Sequence, residues 1–418
     1  MVKTKVISIG DEILIGQIVN TNSAFINEKL NCLGIKVKKV VTIGDNRQDL
    51  LDELNDSIIN DYQINLITGG LGPTHDDITK PILLEFFKDE LILDDKVLEK
   101  VKSIFAKRNV VMPETNIGQA MIPSKSKVIW NEYGTAPGIL MEQDNKIFIA
   151  MPGVPFEMKA MIENSVLPLI KEKYLGNPEF YHKSKTLLTA GIGESFLFEK
   201  IGSIDNLLQG QKMAFLPSPL GVRLRIEVQG RTELEAESEL QRIEKMLYEK
   251  IGDYIYGQND DLLEELVGKL LVEKKLTIAA AESCTGGIIS GRITDVPGSS
   301  RYFKGSIISY ANEIKENILQ INPDLLMDKG AVSSEVAVDM AVRVRKFLKT
   351  DIGISATGIA GPTGGTETKP VGLVYIAISL GDKTYSKELF LGDNRHRNRI
   401  RAAQATLEML RKELLILK

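Results

Sequence analysis

Over the first 172 residues, short apolar runs rich in β-branched side chains ("KVISIG", "IKVKKVVTIG", "INLITGG", "KIFIAMPG") take turns with segments of helical spacing ("SAFINEKLNCLG", "RQDLLDELNDSIIN" and the stretch that follows "GVPFEMKAM"). This alternation predicts an α/β domain, a largely parallel sheet covered by helices, with ligands bound at the carboxyl ends of the strands. Residues 183–256 follow another pattern. "AGIGESFLFEKIG" reads as a turn and a helix, and "KMAFLPSP" leads into "GVRLRIEVQG", where Val222, Leu224, Ile226 and Val228 alternate as on a strand with one buried face. The charged amphipathic helix "TELEAESELQRIEKMLYEKIG" closes this small α+β module, which offers no obvious reactive group. From 258 to 418 the alternation resumes: a helix ("DLLEELVGKLLVEKK"), strands ("LTIAAAES", "GSIISY"), a helix ("SSEVAVDMAVRVRKFLK"), three more strands ("DIGISATG", "VGLVYIAISL", "TYSKELFLG") and a terminal helix. "YGQND", residues 256–260, is the predicted linker.

A chain of 418 residues is too long for one ordinary core, so two or three domains are expected. The net charge of −4 leaves no large basic footprint, and nucleic acid is not an expected partner. Cys32 and Cys284 lie far apart and form no C-x-x-C pair, which argues against a disulfide framework or a thiolate zinc site and fits a reducing, cytoplasmic setting. The opening "MVKTKVISIGDE" reads as a strand rather than a leader, and no run is long enough to span a membrane. With only three scattered histidines, metal chemistry would fall to carboxylates.

Six stretches carry candidate chemistry. In "AAESCTGGIISG", residues 280–291, Ser283 ends an apolar run and precedes Gly286 and Gly287, as at a helix N-terminus, where amides and the helix dipole favour an oxyanion. Ser283 or Thr285 as a plain N-cap is the competing reading. No histidine lies near Ser283 in sequence to act as its base, but in "SIISYANEIKENIL" Tyr310 ends a strand and Lys315 follows five residues on. Neighbouring strand ends converge in an open α/β sheet, so Ser283, Tyr310 and Lys315 can meet, and a lysine made neutral by burial can serve as base. "ATGIAGPTGGTETKPVG" is a glycine-rich loop suited to approaching an anion, and "GDNRHRNRIR" adds arginines suited to phosphate. In the first block, "TGGLGPTHDDITK" offers amides of Gly69, Gly70 and Gly72 for a diphosphate, with Asp77 and Asp45 as oxygen ligands for a hard divalent cation. Asp76 or Asp77 as an N-cap is the alternative there, and in "MPGVPFEM" Glu157 follows a second Gly/Pro turn.

Taken in order, "GDEILIGQIVNTNS", "TGGLGPTHDDIT", "MPGVPFEM", "AESCTGG", "SYANEIK", "GIAGPTGG" and "KPVG" closely resemble the CinA family across essentially the whole chain. The resemblance implies a molybdopterin-binding-like (MoaB/MogA-like) domain over 1–172, linked to ADP-ribose pyrophosphatase activity, and a KH-like domain over 183–256. It implies a nicotinamide mononucleotide deamidase domain over 258–418. The family's Ser-Tyr-Lys set falls on Ser283, Tyr310 and Lys315. The substrate pocket takes in Cys284, Thr285, Gly286, Thr357, Gly358 and an arginine of the last motif, assigned to Arg395 with Arg399 second because "GDNRHRNR" departs from the usual arginine directly after Gly-Asp. On this reading Ser283 attacks the carboxamide, Lys315 is the base, and Tyr310 relays a proton to departing ammonia. The deamidase needs no cofactor, the first domain uses a divalent cation, the partners are nicotinamide mononucleotide and ADP-ribose, and a homodimer is expected. A molybdopterin-handling transferase and a noncatalytic competence-related scaffold are the alternatives.

Overall fold

Strands buried on both faces read as unbroken apolar runs, and those on an edge alternate. In the first sheet that distinction sets the order. Its strands are β1 (Thr4–Ile9), β2 (Val37–Ile43) and β3 (Ile64–Thr68), then, past a separate antiparallel ribbon of β4 (Leu91–Leu93) and β5 (Met121–Pro123), β6 (Lys127–Ile129), β7 (Gly138–Gln143) and β8 (Lys146–Met151). The order is β2-β1-β3-β8-β7-β6. Every residue of β1, β3 and β8 is buried, whereas the edge strand β2 alternates. The two faces feed separate cores: Val6, Ile147 and Ile149 pack on one side, Ile7, Phe148 and Ala150 on the other. β2, β1, β3 and β8 run parallel, as the alternation predicts, but β7 returns antiparallel to β8. The reversal is a two-residue turn at Asp144 and Asn145, both with positive φ, which suits a hairpin.

The computed structural model describes residues 2–74, 77–176 and 180–417, so Asp76 lies outside the described residues. The chain divides into two compact units, one of residues 1–183 and 229–236, the other of 184–228 and 237–418.

In the middle of the chain β9 (Tyr181–Thr189), β10 (Lys212–Ser218), β11 (Gly221–Gly230) and β12 (Ile255–Gln258) form a sheet in the order β10-β11-β9-β12. Val222, Leu224, Ile226 and Val228 are all buried, as their alternation predicts. Its two short helices, Glu194–Ile201 and Ile204–Leu208, are joined by Gly202 and Ser203 alone, with no room for the GXXG loop by which KH domains clamp nucleic acid. Part of the expected linker, residues 256–258, is strand. Ile255–Gln258 pairs with β9, and Asn259 continues the contact by donating its N–H to the Thr186 carbonyl. The turn-forming Gly257 and Asn259 suggest a linker, yet Gly257 is small because a Cβ there would lie 2.8 Å from that of Asp261.

The last sheet comprises β13 (Ile278–Glu282), β14 (Phe303–Ile308), β15 (Ile352–Gly358), β16 (Leu373–Leu380) and β17 (Lys383–Phe390), ordered β14-β13-β15-β16-β17. All five were expected. β14, β13 and β15 are parallel and the other two antiparallel. Ile278 and Ala280 of β13 face a core shared with helices Leu263–Glu273 and Arg395–Ile416, while Ala279 and Ala281 pack toward helix Ser334–Phe347. Among the described residues no helix is long and apolar enough to cross a membrane.

Candidate functional site

Register brings the expected residues together in the last sheet. Glu282 pairs with Ile308 across β13 and β14, so Ser283 and Ser309 leave the sheet side by side, and the Ser309 N–H donates to the Glu282 carbonyl. On the other flank the Ser283 N–H donates to the Ala356 carbonyl of β15, 2.9 Å away. Glu282 settles the cap question. Its fully buried carboxylate accepts the N–H groups of Gly287 (2.9 Å), Ile289 (3.1 Å) and Ser290 (2.8 Å) at the start of helix Ile288–Asp295. The helix is thus capped from the preceding strand, and neither Ser283 nor Thr285 is needed for that task. This residue was missed in the sequence because glutamate reads as a solvated charge; its position in the wholly apolar run "IAAAE" was the available signal.

Lys315, on the short helix Asn312–Asn317, is 1% exposed. Its Nζ lies 3.2 Å from Ser283 Oγ, 2.7 Å from the Ser309 carbonyl and 3.4 Å from the Tyr310 carbonyl. It has no ion-pair partner among the described residues. Burial pushes its pKa below the usual lysine range, with the neighbouring Cys284 side chain acting in the opposite direction. A neutral amine has two N–H groups and a lone pair. The two carbonyls take the former, which leaves the lone pair to accept the Ser283 hydroxyl proton. The adjacent thiol is not a rival nucleophile, because burial pushes Cys284 up to about 12 and it packs into the apolar core. The amides of Cys284 and Thr285, directly after Ser283, donate to no protein oxygen among the described residues; both bear instead on the Cys284 sulfur, a weak acceptor. Among the described residues the hydroxyls of Thr285 and Ser309 are buried without a hydrogen-bond partner.

Tyr310 departs from its expected place. Only its backbone carbonyl meets Lys315; the side chain is 59% exposed and its hydroxyl accepts from Arg395 Nη2 at 2.7 Å. No hydrogen bond joins that hydroxyl to Ser283 or Lys315, so the proton relay through Tyr310 has no path in this conformation. Arg395 also donates to the Gly361 carbonyl of the glycine-rich loop at 2.9 Å, and Arg399 donates to the Thr285 carbonyl at 2.8 Å. Both arginines therefore reach the site from the first turns of helix Arg395–Ile416. Gly286, at φ 58°, leaves room for Arg399: a Cβ there would stand 3.0 Å from its Nη2. Thr357 is buried with its hydroxyl donated to the Ala331 carbonyl, so it braces the chain before helix Ser334–Phe347. Gly358 holds β15 close to β16, where a Cβ would lie 2.6 Å from Val374.

A second candidate lies in the first unit, at the carboxyl ends of β1, β3 and β8. A cavity of about 420 Å³ is lined by Gly10, Gly69, Gly70, Gly72 and Gly153, with carboxylates from Glu12, Asp45, Asp77 and Glu157. Gly69 and Gly70 have φ of 108° and 65°, and side chains there would strike the Ile9 carbonyl and Thr79 Oγ1. The three-glycine cradle is only partly available. Gly69 donates its N–H to the Met151 carbonyl and Gly72 donates to Asp77 Oδ1, leaving Gly70 and its neighbour Leu71 without protein acceptors among the described residues. Asp77 also accepts from the Thr74 N–H and hydroxyl, so its carboxylate chiefly braces the turn. No lysine or arginine lines this cavity among the described residues. A diphosphate would meet like charge there and needs a cation with it. No three acid, histidine or cysteine side chains converge as a ready-made metal cage among the described residues. The oxygen donors fit an ion that is completed by the ligand's own phosphate oxygens, as magnesium commonly is.

By sequence, residues 5–172 match the probable molybdopterin binding domain family, 184–257 the damage-inducible protein CinA KH domain family, and 260–414 the CinA C-terminal domain family. A CinA-like protein of Flavobacterium psychrophilum is 45% identical over 418 residues, 99% of each chain. A CinA-like protein of Dictyoglomus thermophilum is 43% identical over 413 residues, again 99% of each. Among solved structures, the competence/damage inducible protein CihA of Agrobacterium tumefaciens aligns with a TM-score of 0.35 and 34% identity, covering 37% of this chain and 95% of that one.

Proposed function

The chain belongs to the CinA family, and from that premise we propose that its C-terminal domain is a serine amidohydrolase that converts nicotinamide mononucleotide to nicotinate mononucleotide and ammonia. The observation that carries this reading is the buried, ion-unpaired Lys315 at 3.2 Å from the Ser283 hydroxyl. Lys315 takes the Ser283 proton as Oγ bonds to the carboxamide carbon. The oxyanion formed is held by the amides of Cys284 and Thr285. Collapse breaks the C–N bond, and the proton on Lys315 goes to the departing nitrogen, which leaves as ammonia. Water, deprotonated by the same lysine, then cleaves the Ser283 ester, releasing the carboxylate and restoring the serine. Lys315 thus takes over the relay expected of Tyr310. Tyr310 and Arg395 together form a clamp for the rest of the nucleotide, with Arg395 and Arg399 supplying charge for its phosphate. Incubating the pure chain with nicotinamide mononucleotide and measuring ammonia tests the reading; no ammonia above a Ser283→Ala control would refute it.

For the first unit, the glycine-walled, carboxylate-lined cavity supports a cation-dependent hydrolase of ADP-ribose-like diphosphates. Glu12 and Asp45, the latter also accepting the Asp11 N–H, are the carboxylates that would share the ion with the diphosphate, while Asp77 accepts three hydrogen bonds from its own turn. The ion would supply charge compensation for the phosphates. Assay of AMP release from ADP-ribose with and without added magnesium tests this reading, and release that ignores the metal would refute it.

A further inference from the structure

On the two segments that supply Thr135, Ala136, Val154 and Glu157 to the first unit's cavity, two large aromatic residues outside its lining stand in solvent. Tyr133 is 54% exposed and Phe156 59% exposed, yet their rings meet, with centroids 6.1 Å apart at 73°. Each adjoins one wall of the cavity: Tyr133 precedes Thr135 and Ala136, and Phe156 sits between Val154 and Glu157. A single buried side chain ties the walls together. Asn131 Oδ1 accepts the N–H groups of Tyr133 (3.1 Å) and Gly134 (2.9 Å), while its Nδ2 donates to the Ala136 carbonyl (2.9 Å) and to Glu157 Oε2 (2.6 Å). Gly134 lies so close to that carboxylate that a Cβ would stand 2.1 Å from Glu157 Oε2. The loop is therefore held in shape before anything binds, and a ligand that lies on the rings has little ordering to impose. Core packing does not account for two rings kept half in water on so tightly braced a turn.

We propose that Tyr133 and Phe156 form a stacking platform for the nucleobase of a nucleoside diphosphate whose phosphates enter the glycine-walled cavity. The proposal rests on reading that cavity as a diphosphate site and adds what selects the ligand: a planar aromatic base rather than the phosphates alone. Any base offers a π-face, and loss of one stacking ring weakens binding by about 5- to 100-fold.

The test uses the full chain with magnesium, titrated with ADP and separately with inorganic pyrophosphate, by calorimetry and by emission of Trp130. Trp130 is the only tryptophan in the chain and opens the same loop. Tyr133→Ala and Phe156→Ala should each weaken ADP by about tenfold or more. Both should leave pyrophosphate within about twofold, and Tyr133→Trp should restore ADP affinity. Tyr133→Leu and Phe156→Leu, which keep apolar bulk without a ring, serve if the alanine variants fold poorly by circular dichroism. Unchanged ADP affinity in folded variants overturns the platform while pyrophosphate binding leaves the cavity reading standing. Equal loss for both ligands overturns it by showing the rings merely brace the cavity. A changed oligomeric size with ADP affinity intact overturns it in favour of a surface for another copy of the chain. If the wild type binds neither ligand, the cavity reading itself fails and the platform with it.

Discussion

Ser283 and Lys315 are buried side by side, and the consequences of altering them differ in kind. Ser283→Ala should abolish deamidation, by about a thousandfold or more, while binding of nicotinamide mononucleotide stays within a few-fold, because the hydroxyl acts in bond making rather than ground-state affinity. Lys315→Arg should fail as fully as Lys315→Ala, since a guanidinium cannot shed its proton. Burial lowers the Lys315 pKa, so the active neutral form grows as pH rises through that lowered value, and kcat/KM should climb with pH and level off well before the usual lysine range. The same shift has a stability counterpart. An unfolded lysine holds its proton more tightly, so the penalty of burying Lys315 is fully present below its folded pKa and fades as pH rises toward about 10.4. Lys315→Met, though inactive, should therefore melt at or above wild type at neutral pH, with the gap closing in alkali. The apolar run around Glu282 marked it as buried, but its task was not legible, since its cap acts across a strand end and on amides five to eight positions away. Glu282→Gln retains one acceptor oxygen for a ring of N–H donors and should lose about 1–3 kcal/mol of stability together with activity. A variant with full activity would show that the cap does not hold Ser283 in place.

The helix Arg395–Ile416 does two things with one sequence. Its first turn carries Arg395 and Arg399 into the site, and its later turns bury Ala402, Ala403, Leu407, Leu410 and Leu414 against the sheet. The apolar half was readable as a terminal helix; the arginines were readable only as candidates, because a basic helix start is usually solvated. Their hydrogen bonds to the Gly361 and Thr285 carbonyls depend on where the glycine-rich loop and the β13 end come to lie. Arg395→Ala should raise KM more for nicotinamide mononucleotide than for its riboside, with kcat little changed, because the group lost contacts phosphate rather than the reacting carbon. Equal effects on both substrates would move the phosphate contact to Arg399. The same helix also constrains Tyr310, whose hydroxyl it holds through Arg395. A Tyr310→Phe variant that loses as much activity as Lys315→Ala would restore the tyrosine to the proton path.

In the whole molecule the two proposed chemistries draw on different residues and different charge compensation. Chelation should silence ADP-ribose hydrolysis in the full chain and spare deamidation; loss of both, with circular dichroism unchanged, would overturn the metal-free serine mechanism. Much of this organisation was legible in order along the chain. A period-two pattern marks the buried face of β11, and largely apolar runs mark β13 and β15 of the last sheet and the central strands of the first, because patterning reports which sides of a segment meet a core. Motifs in sequence likewise named Ser283 and Lys315. What the pattern left open is which polar atoms meet. That Glu282 rather than Ser283 caps the helix, that Arg395 holds Tyr310, that Asp77 and the Gly72 amide satisfy each other, and that Ile255–Gln258 joins a sheet all depend on partners 5 to 85 positions away. Burial preferences are local and largely additive along a chain, so sequence alone determines them. Hydrogen-bond partners are assigned only when the fold brings distant groups together in a space where none can be left unmade cheaply, and that choice belongs to the tertiary structure.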